Sequence, residues 1–416
     1  MNLLKTGGLT AIATFARLLS GFLVMKLVAL FAGPEGVAQL GQFMSLTALL
    51  VVFAGGGVGP GVVKYIAELK DNDEQLKRLL NAAVCFTIIA SLAMCVGVLI
   101  FNKNITVWLL GDVQYSSLVV VLAFAQFFIA FNNLILAIVN GMMDVKRLAL
   151  IHVCGAVVGV MAPIILGYYF KLYGVLLAFL LAQALLVVVS FFCYKRSHYF
   201  SWSYLRPAID KMVFKKLSKY SLMTLTSALL FPVVQILVRN ILADRFSWEQ
   251  VGYWQAVSKV SEAYLMFITM AISVYYLPKL SAINERNEFK NEIKLGYLYL
   301  MPVVIISALL IFMLKELITW ILFSADFSGA LYLYAPQLIG DVLKIASFVL
   351  SYIMLAKAMT KTFFLSELMF SGMYLGWVWI MTGMFGLIGA MYAFIINYSI
   401  YLIFTVVVAR LYIRNM

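Results

Sequence analysis

Twelve runs of about 20 mostly apolar residues follow one another along the 416-residue chain. They lie near 9–31, 38–66, 79–101, 116–140, 149–170, 174–194, 219–241, 251–277, 296–314, 331–356, 363–382 and 387–409. A helix needs about 20 residues to cross the hydrocarbon core of a bilayer. Strands of a membrane barrel would instead alternate apolar and polar residues over about 10 positions. A backbone inside a bilayer must satisfy its own hydrogen bonds, and a helix does so locally. With 64% hydrophobic and 12% charged residues, the chain is too apolar for one aqueous core, whose surface must still be polar. A soluble enzyme, a disordered chain and a secreted disulfide scaffold are excluded. The sequence predicts an all-α polytopic membrane protein with 12 transmembrane helices.

The direction of the helices follows from charge. The chain has 31 Lys+Arg against 18 Asp+Glu, a net charge of +13. With the N-terminus inside, the inner loops hold 21 basic residues and 9 acids, and the outer loops 4 and 6. Basic loops stay cytoplasmic, so both termini are expected there. The first run is too long for a cleaved signal peptide and carries Arg17 and Lys26. Cys85, Cys95, Cys154 and Cys193 all fall in apolar runs, where they serve as small packing residues, and no spacing suggests a metal site or a disulfide framework.

The longest stretch between runs, 195–218, is basic and aromatic. It divides the chain into an N-terminal six-helix lobe (1–194), a cytoplasmic linker (195–218) and a C-terminal six-helix lobe (219–416). Two readings of the linker are open: a segment lying on the anionic inner leaflet, or an ordinary connection anchored by aromatics. The lobes echo each other. Gly174 to Phe179 matches Gly389 to Phe394 at an offset of 215, and Lys64 matches Lys279 at the same offset. Glu35 pairs with Glu249 at 214 and Gln126 with Gln337 at 211. Repeats of one topology in a transporter place substrate sites between the halves.

Catalytic signatures are missing from the sequence. There is no GxxxxGK[ST] loop, no HExxH and no His/Cys cluster; the two histidines are His152 and His198. No cofactor and no nucleic-acid partner is expected. The informative residues are charges inside the runs: Arg17, Lys26, Lys64, Arg239, Lys259 and Lys344, against Glu262, Asp341 and Glu367. Each costs at least ~2.5–3.5 kcal/mol at the centre of a spanning helix, so it faces a cavity or a partner. Arg17 and Lys26 are nine residues apart and cannot share one narrow helical stripe. Lys64 follows the glycine-rich run Gly55 to Gly61, which should break its helix. Arg239, near an outer helix end, fits either a cavity or snorkelling. Lys259 with Glu262, and Asp341 with Lys344, are spaced three apart on one helix face. They are either neutralised pairs or a titrating carboxylate beside a lysine freed for an anionic ligand. The basic surplus inside the membrane predicts an anionic cargo. The basic inner rim would attract anionic membrane lipids.

Several longer stretches carry a family resemblance. They are Lys26-Leu27 through Gly33-Pro34 with Gly36; Lys64-Tyr65-Ile66-Ala67; Gln75-Leu76-Lys77-Arg78; and Ser247-Trp248-Glu249-Gln250-Val251-Gly252-Tyr253-Trp254-Gln255. Glu262-Ala263-Tyr264-Leu265, Phe267-Ile268-Thr269, Leu277-Pro278 and Gln337 through Lys344 extend it. In these the chain resembles the Wzx-type lipid-linked oligosaccharide flippases, the O-antigen and enterobacterial common-antigen translocases, of the multidrug and oligosaccharidyl-lipid exporter superfamily. The resemblance implies two pseudo-symmetric six-helix lobes forming a V-shaped, MATE-like central cavity. It implies flipping of an undecaprenyl-pyrophosphate-linked repeat unit from the cytoplasmic to the periplasmic leaflet of the bacterial inner membrane. It implies substrate binding at Arg17, Lys26, Lys64, Arg239, Lys259 and Lys344, and ion coupling at Glu262 or Asp341. Polysaccharide polymerase and chain-length regulator proteins are the implied partners. The alternative is a cation-coupled multidrug antiporter of the same superfamily, which would call for an acidic cavity. A polymerase or ligase would need a large outer loop, which the chain lacks.

Overall fold

A computed structural model describes residues 3–283 and 285–415; the side chains of 3–13, 17, 110, 219, 220, 222–224, 226, 227, 271 and 274 lie outside the described set. Every regular element among the described residues is helical. In chain order these are α1 (Leu3–Ala54), α2 (Gly59–Leu69), α3 (Asp73–Ile100), α4 (Asn102–Leu110), α5 (Ser116–Gly141), α6 (Val145–Lys195), α7 (Lys211–Arg245) and α8 (Trp248–Ala271). They continue with α9 (Leu277–Ala282), α10 (Arg286–Met313), α11 (Lys315–Leu322), α12 (Tyr334–Ala356), α13 (Thr360–Phe385) and α14 (Gly389–Asn415). The protein is an all-α, multi-pass membrane protein.

Among the described residues, seven stretches are long and apolar enough to cross a membrane by length and composition. Val145–Lys195 and Thr360–Asn415 each contain two of the twelve apolar runs, and Thr14–Ala54 overlaps two more. Their turns show why. Lys171 inside α6 takes φ 49, ψ −133, and Gly386 between α13 and α14 has φ 69. A Cβ on Gly174 would lie 2.0 Å from the Leu166 carbonyl oxygen, and one on Gly389 would lie 2.1 Å from that of Met381. Residues eight apart in a continuous helix are about 12 Å apart, so at both places the chain doubles back. Gly33 inside α1 has the same type of backbone conformation, φ 60, ψ −158. The runs 219–241 and 251–277 fall on α7 and on α8 continued into α9 through a π-helical turn, Ile272–Tyr276.

The internal repeat extends to the turns at 142–144 and 357–359. Met143 (φ 57) and Ala358 (φ 53) are 215 residues apart and both left-handed. The amides of Met142, Met143 and Asp144 donate to the carbonyls of Ile138, Asn140 and Val139; those of Lys357, Ala358 and Met359 donate to Ile353, Leu355 and Met354. Every donor and acceptor of the first set recurs in the second at the same offset. At that offset Gln126 corresponds to Asp341, which corrects its pairing with Gln337. The segments near 102–115 and 315–330 also match, as the short helices α4 and α11, exposing Trp108 and Trp320.

Packing divides the chain into two compact units: Met1–Ala32 with Gln39–Ile236, and Gly33–Ala38 with Leu237–Met416. The division at 195–218 follows charge and run count; packing divides later, inside α7. The core of the first unit gathers Val62 and Ile66 of α2, Leu79 and Leu80 of α3 and Ile135 and Ile138 of α5. That of the second gathers Leu265, Ile268 and Ile272 with Phe289, Ile345, Val349 and Ile353.

The glycine-rich run breaks the chain between α1 and α2, as expected, with Gly56 (φ 61) and Gly57 (φ 63) left-handed. The neighbour that approaches there is α7: Ser221 donates its hydroxyl to the Gly56 carbonyl, and Leu225 packs on Gly57. The linker before α7 is fastened to the same unit. Tyr204 is buried with its hydroxyl on Asp73, and the Ala208 amide donates to the Asn81 carbonyl at 3.3 Å. Asp144 caps α6 and pairs with Arg147, whose guanidinium also donates to the Arg196 carbonyl at 2.9 Å, and Tyr199 donates to Asp144 at 3.2 Å. Burial raises the Asp144 carboxyl, but the Arg147 hydrogen bonds and charge outweigh it and hold the group below the usual carboxylate value. Burial pushes the Tyr199 and Tyr204 hydroxyls up to about 12, so both stay neutral donors.

Candidate functional site

The densest polar cluster inside the second unit joins α8 to α12. Gln337, Asp341 and Lys344 follow one another at four- and three-residue steps, which places them on one face of α12. Ser261 and Tyr264 present the matching face of α8. The Asp341 side chain is fully buried. Its Oδ1 accepts from Ser261 Oγ at 2.6 Å and from Gln337 Nε2 at 2.9 Å, and its Oδ2 accepts from Tyr264 Oη at 2.8 Å. Gln337 Nε2 also reaches Ser261 Oγ at 3.1 Å. A buried carboxylate has to be compensated, and here three neutral donors do it. Such a group can take up a proton or a small cation without breaking an ion pair.

Lys344 makes no direct ion pair with Asp341 within 4.0 Å, so any neutralisation between the two acts at longer range. Its ammonium stands 5.7 Å from the Phe348 ring centroid, 5.8 Å from Phe394 and 5.7 Å from Tyr398. Cation–π attraction to three rings helps hold the charge in place. The charge of Lys344 also acts on the Asp341 and Glu367 carboxyls. Gly340 makes room for the cage: a Cβ there would lie 2.4 Å from the Phe394 ring.

One turn earlier on α8, Lys259 Nζ and Glu262 Oε2 are 2.5 Å apart, a direct i,i+3 ion pair with both side chains partly exposed. Arg239 on α7 is 2% exposed, which rules out snorkelling. Its Nε donates to Gln255 Oε1 at 2.7 Å, its guanidinium lies 5.9 Å from the Trp254 ring, and the Glu262 charge acts on it. The second unit thus brings Arg239, Lys259, Glu262, Asp341 and Lys344 onto packed helices.

The remaining predicted residues lie in the first unit. Lys26 is half-buried on α1. Lys64 is exposed on α2, 3.7 Å from Glu68 and 5.5 Å from the Tyr65 ring. The side chain of Arg17 lies outside the described residues. Sequence reasoning missed Ser261, Tyr264, Gln255 and the aromatic cage. The i,i+3 spacing of Ser261 and Tyr264 beside the Glu262 signal was the available clue. Among the described residues no group of three or more His, Cys, Asp or Glu could hold a metal ion.

Residues 33–331 match the model of a family described as polysaccharide biosynthesis protein. The chain belongs to that family. This polysaccharide biosynthesis family member is 34% identical over 405 residues to the Lipid III flippase of Escherichia coli (strain K12), an alignment covering 96% of each chain. The Lipid III flippase of Shigella flexneri matches to the same extent. Among solved structures, the family member is similar to the Lipid II flippase MurJ in an inward closed conformation, with a TM-score of 0.77 at 16% identity, covering 96% of this chain and 87% of that one. It is also similar to an inward-facing MATE family multidrug resistance transporter, with a TM-score of 0.76 at 17% identity, covering 97% and 95%. At such identities these two likenesses bear on the fold alone. The relatives are flippases and transporters, not enzymes.

Proposed function

We propose that the protein flips a lipid-linked oligosaccharide, an undecaprenyl-pyrophosphate-linked repeat unit, from the cytoplasmic to the periplasmic leaflet of the inner membrane by alternating access. The product would feed O-antigen or a related surface polysaccharide. The observation that carries this reading is the 34% identity to a lipid III flippase along 96% of both chains. The polar interior of the second unit supports it: Lys344 stands among three aromatic rings with no carboxylate in direct contact, a setting that suits phosphate or acidic sugar. In this reading Arg17, Lys26, Lys64, Arg239, Lys259 and Lys344 bind the anionic cargo, and Asp341 or Glu262 carries the coupling ion. Both termini face the cytoplasm. The multidrug-antiporter alternative rests on likenesses that speak for the fold only.

Complementation tests the reading. A strain lacking its lipid III flippase, and any redundant flippase, should regain surface polysaccharide with this chain and not with its Lys344→Ala or Arg17→Ala variants. A deletion of the chain from its own host should trap lipid-linked repeat units on the inner leaflet. Normal surface polysaccharide in that deletion, with no redundant flippase present, would overturn the proposal.

A further inference from the structure

The linker that fastens α6 to α7 uses only part of its side chains for that purpose. Tyr199, Phe200, Tyr204, Leu205, Val213, Phe214 and Leu217 pack inward on the core of the first unit. Trp202, Ile209 and Met212 do not; they are 59%, 70% and 68% exposed. Around them stand Lys195, Arg206, Lys211, Lys215 and Lys216, all exposed. Lys195 lies 5.8 Å from the Trp202 ring centroid. None of these five forms an ion pair among the described residues. The one acid of the stretch, Asp210, is occupied as a cap, accepting from the Met212 and Val213 amides at 3.0 and 3.1 Å.

The first two turns of α7 sort their residues cleanly. At about 100° per residue, Lys211, Lys215, Met212 and Lys216 span an arc of roughly 140°, and Val213, Leu217 and Phe214 fill the opposite side. The apolar tips and the unpaired charges therefore share one outward surface. The backbone under it is pinned by Tyr204 on Asp73 and by Ala208 on Asn81. A basic helical face with Trp and aliphatic tips fits the boundary between head groups and acyl chains, where each part finds its own solvent.

From this surface we infer that the linker and the start of α7 form a fixed docking face for anionic phospholipid head groups of the leaflet beside it. The choice of the cytoplasmic leaflet rests on the orientation given under the proposed function; the lipid chemistry does not. None of its residues is among those assigned to the cargo, so its proposed role is contact with the membrane surface.

The test uses the full-length protein in nanodiscs of phosphatidylcholine alone or with phosphatidylglycerol and cardiolipin. Lipid retained by the protein is read by mass spectrometry. A basic residue near an anionic surface contributes roughly a five-fold preference. Wild type should therefore enrich the anionic lipids, and K211Q/K215Q/K216Q should lose about 100-fold of that preference. Brominated phosphatidylglycerol should quench a smaller share of the tryptophan fluorescence in W202F than in the wild type, and the difference reports the face even if the triple variant folds poorly. Equal lipid retention by wild type and a folded triple variant would overturn the inference. So would inorganic pyrophosphate bound in neutral discs through the same lysines without any lipid enrichment, because the face would then be a pyrophosphate site. Loss of polysaccharide complementation with intact lipid enrichment would count against the transport reading alone.

Discussion

Lys171 and Gly386 stand 215 residues apart and hold the same backbone conformation, φ 49, ψ −133 in one and φ 69, ψ −153 in the other. Each closes a turn between two long helices. Glycine adopts that region freely, whereas a residue with a Cβ is strained there by about 1–3 kcal/mol. Lys171→Gly should therefore raise stability by about 1 kcal/mol after the entropic cost of glycine. Gly386→Ala should lower it by about 1–3 kcal/mol although open space surrounds the site. Thermal unfolding in detergent measures both, and a stabilised Gly386→Ala would contradict the strain argument.

The glycines that follow these turns are limited by space instead. Gly174→Ala and Gly389→Ala would each press a methyl group onto a backbone carbonyl, which cannot swing aside as a side-chain tip can. Both should cost about 3 kcal/mol. At Gly372 or Gly376, where nothing lies within 4 Å, the same change should be neutral or stabilising. The pair of contrasts can be read in one melting series.

Asp341 depends on its three donors. Tyr264→Phe and Ser261→Ala should each cost about 1–3 kcal/mol, since each leaves part of a buried carboxylate unpaired. Asp341→Asn keeps the volume and should fold, but should abolish transport in the complementation assay if the carboxylate carries the coupling ion. Full activity of Asp341→Asn would remove Asp341 from that role.

Arg239 spends its Nε on Gln255 while fully buried. Arg239→Lys keeps the charge and loses the planar donor, and should destabilise by about 1–3 kcal/mol. Gln255→Leu should cost about as much, because it leaves a buried guanidinium without that acceptor. A double-mutant cycle on thermal stability gives the coupling; additive effects would show that the bond contributes nothing.

The linker clamp should respond to acid. Arg147 and Tyr199 hold the Asp144 carboxyl below its ordinary value of 3.8. A depressed carboxyl contributes stability that is present above its unfolded value and is lost as pH falls through the folded one. Protection of 196–210 in hydrogen exchange should thus persist at neutral pH and fall away below about pH 4. Asp144→Asn should weaken it at neutral pH and remove that acid step. An unchanged step in Asp144→Asn would assign it to another group.

Much of the architecture was legible because apolar length and basic loops are properties of single segments. The repeat was legible at Gly174 and Gly389, where backbone contact forbids a Cβ. It was blurred at Gln126, since amide-to-amide matching is chemically attractive but the offset equates it with Asp341. Charges inside the runs could be found, but their partners could not. Lys259 met Glu262 through local helix geometry. Asp341 turned to Ser261 and Tyr264, 80 and 77 residues away, and Lys344 to rings on α12 and α14. Such choices depend on how helices pack, which the spacing along one helix does not encode. The linker left two readings open because some of its side chains pack inward and others are exposed.

The six residues Gly33–Ala38 belong to the second unit, where the Pro34 carbonyl lies against Gly252, although the chain places them inside its first long helix. The stretch of α7 up to Ile236 belongs in turn to the first unit. The duplicated gene segments and the folded units are therefore out of step. A ribosome that has finished the first half has already made a piece the second half needs and has yet to make a piece the first half needs. Cutting the chain at 218 would therefore leave part of each packing unit on the other fragment.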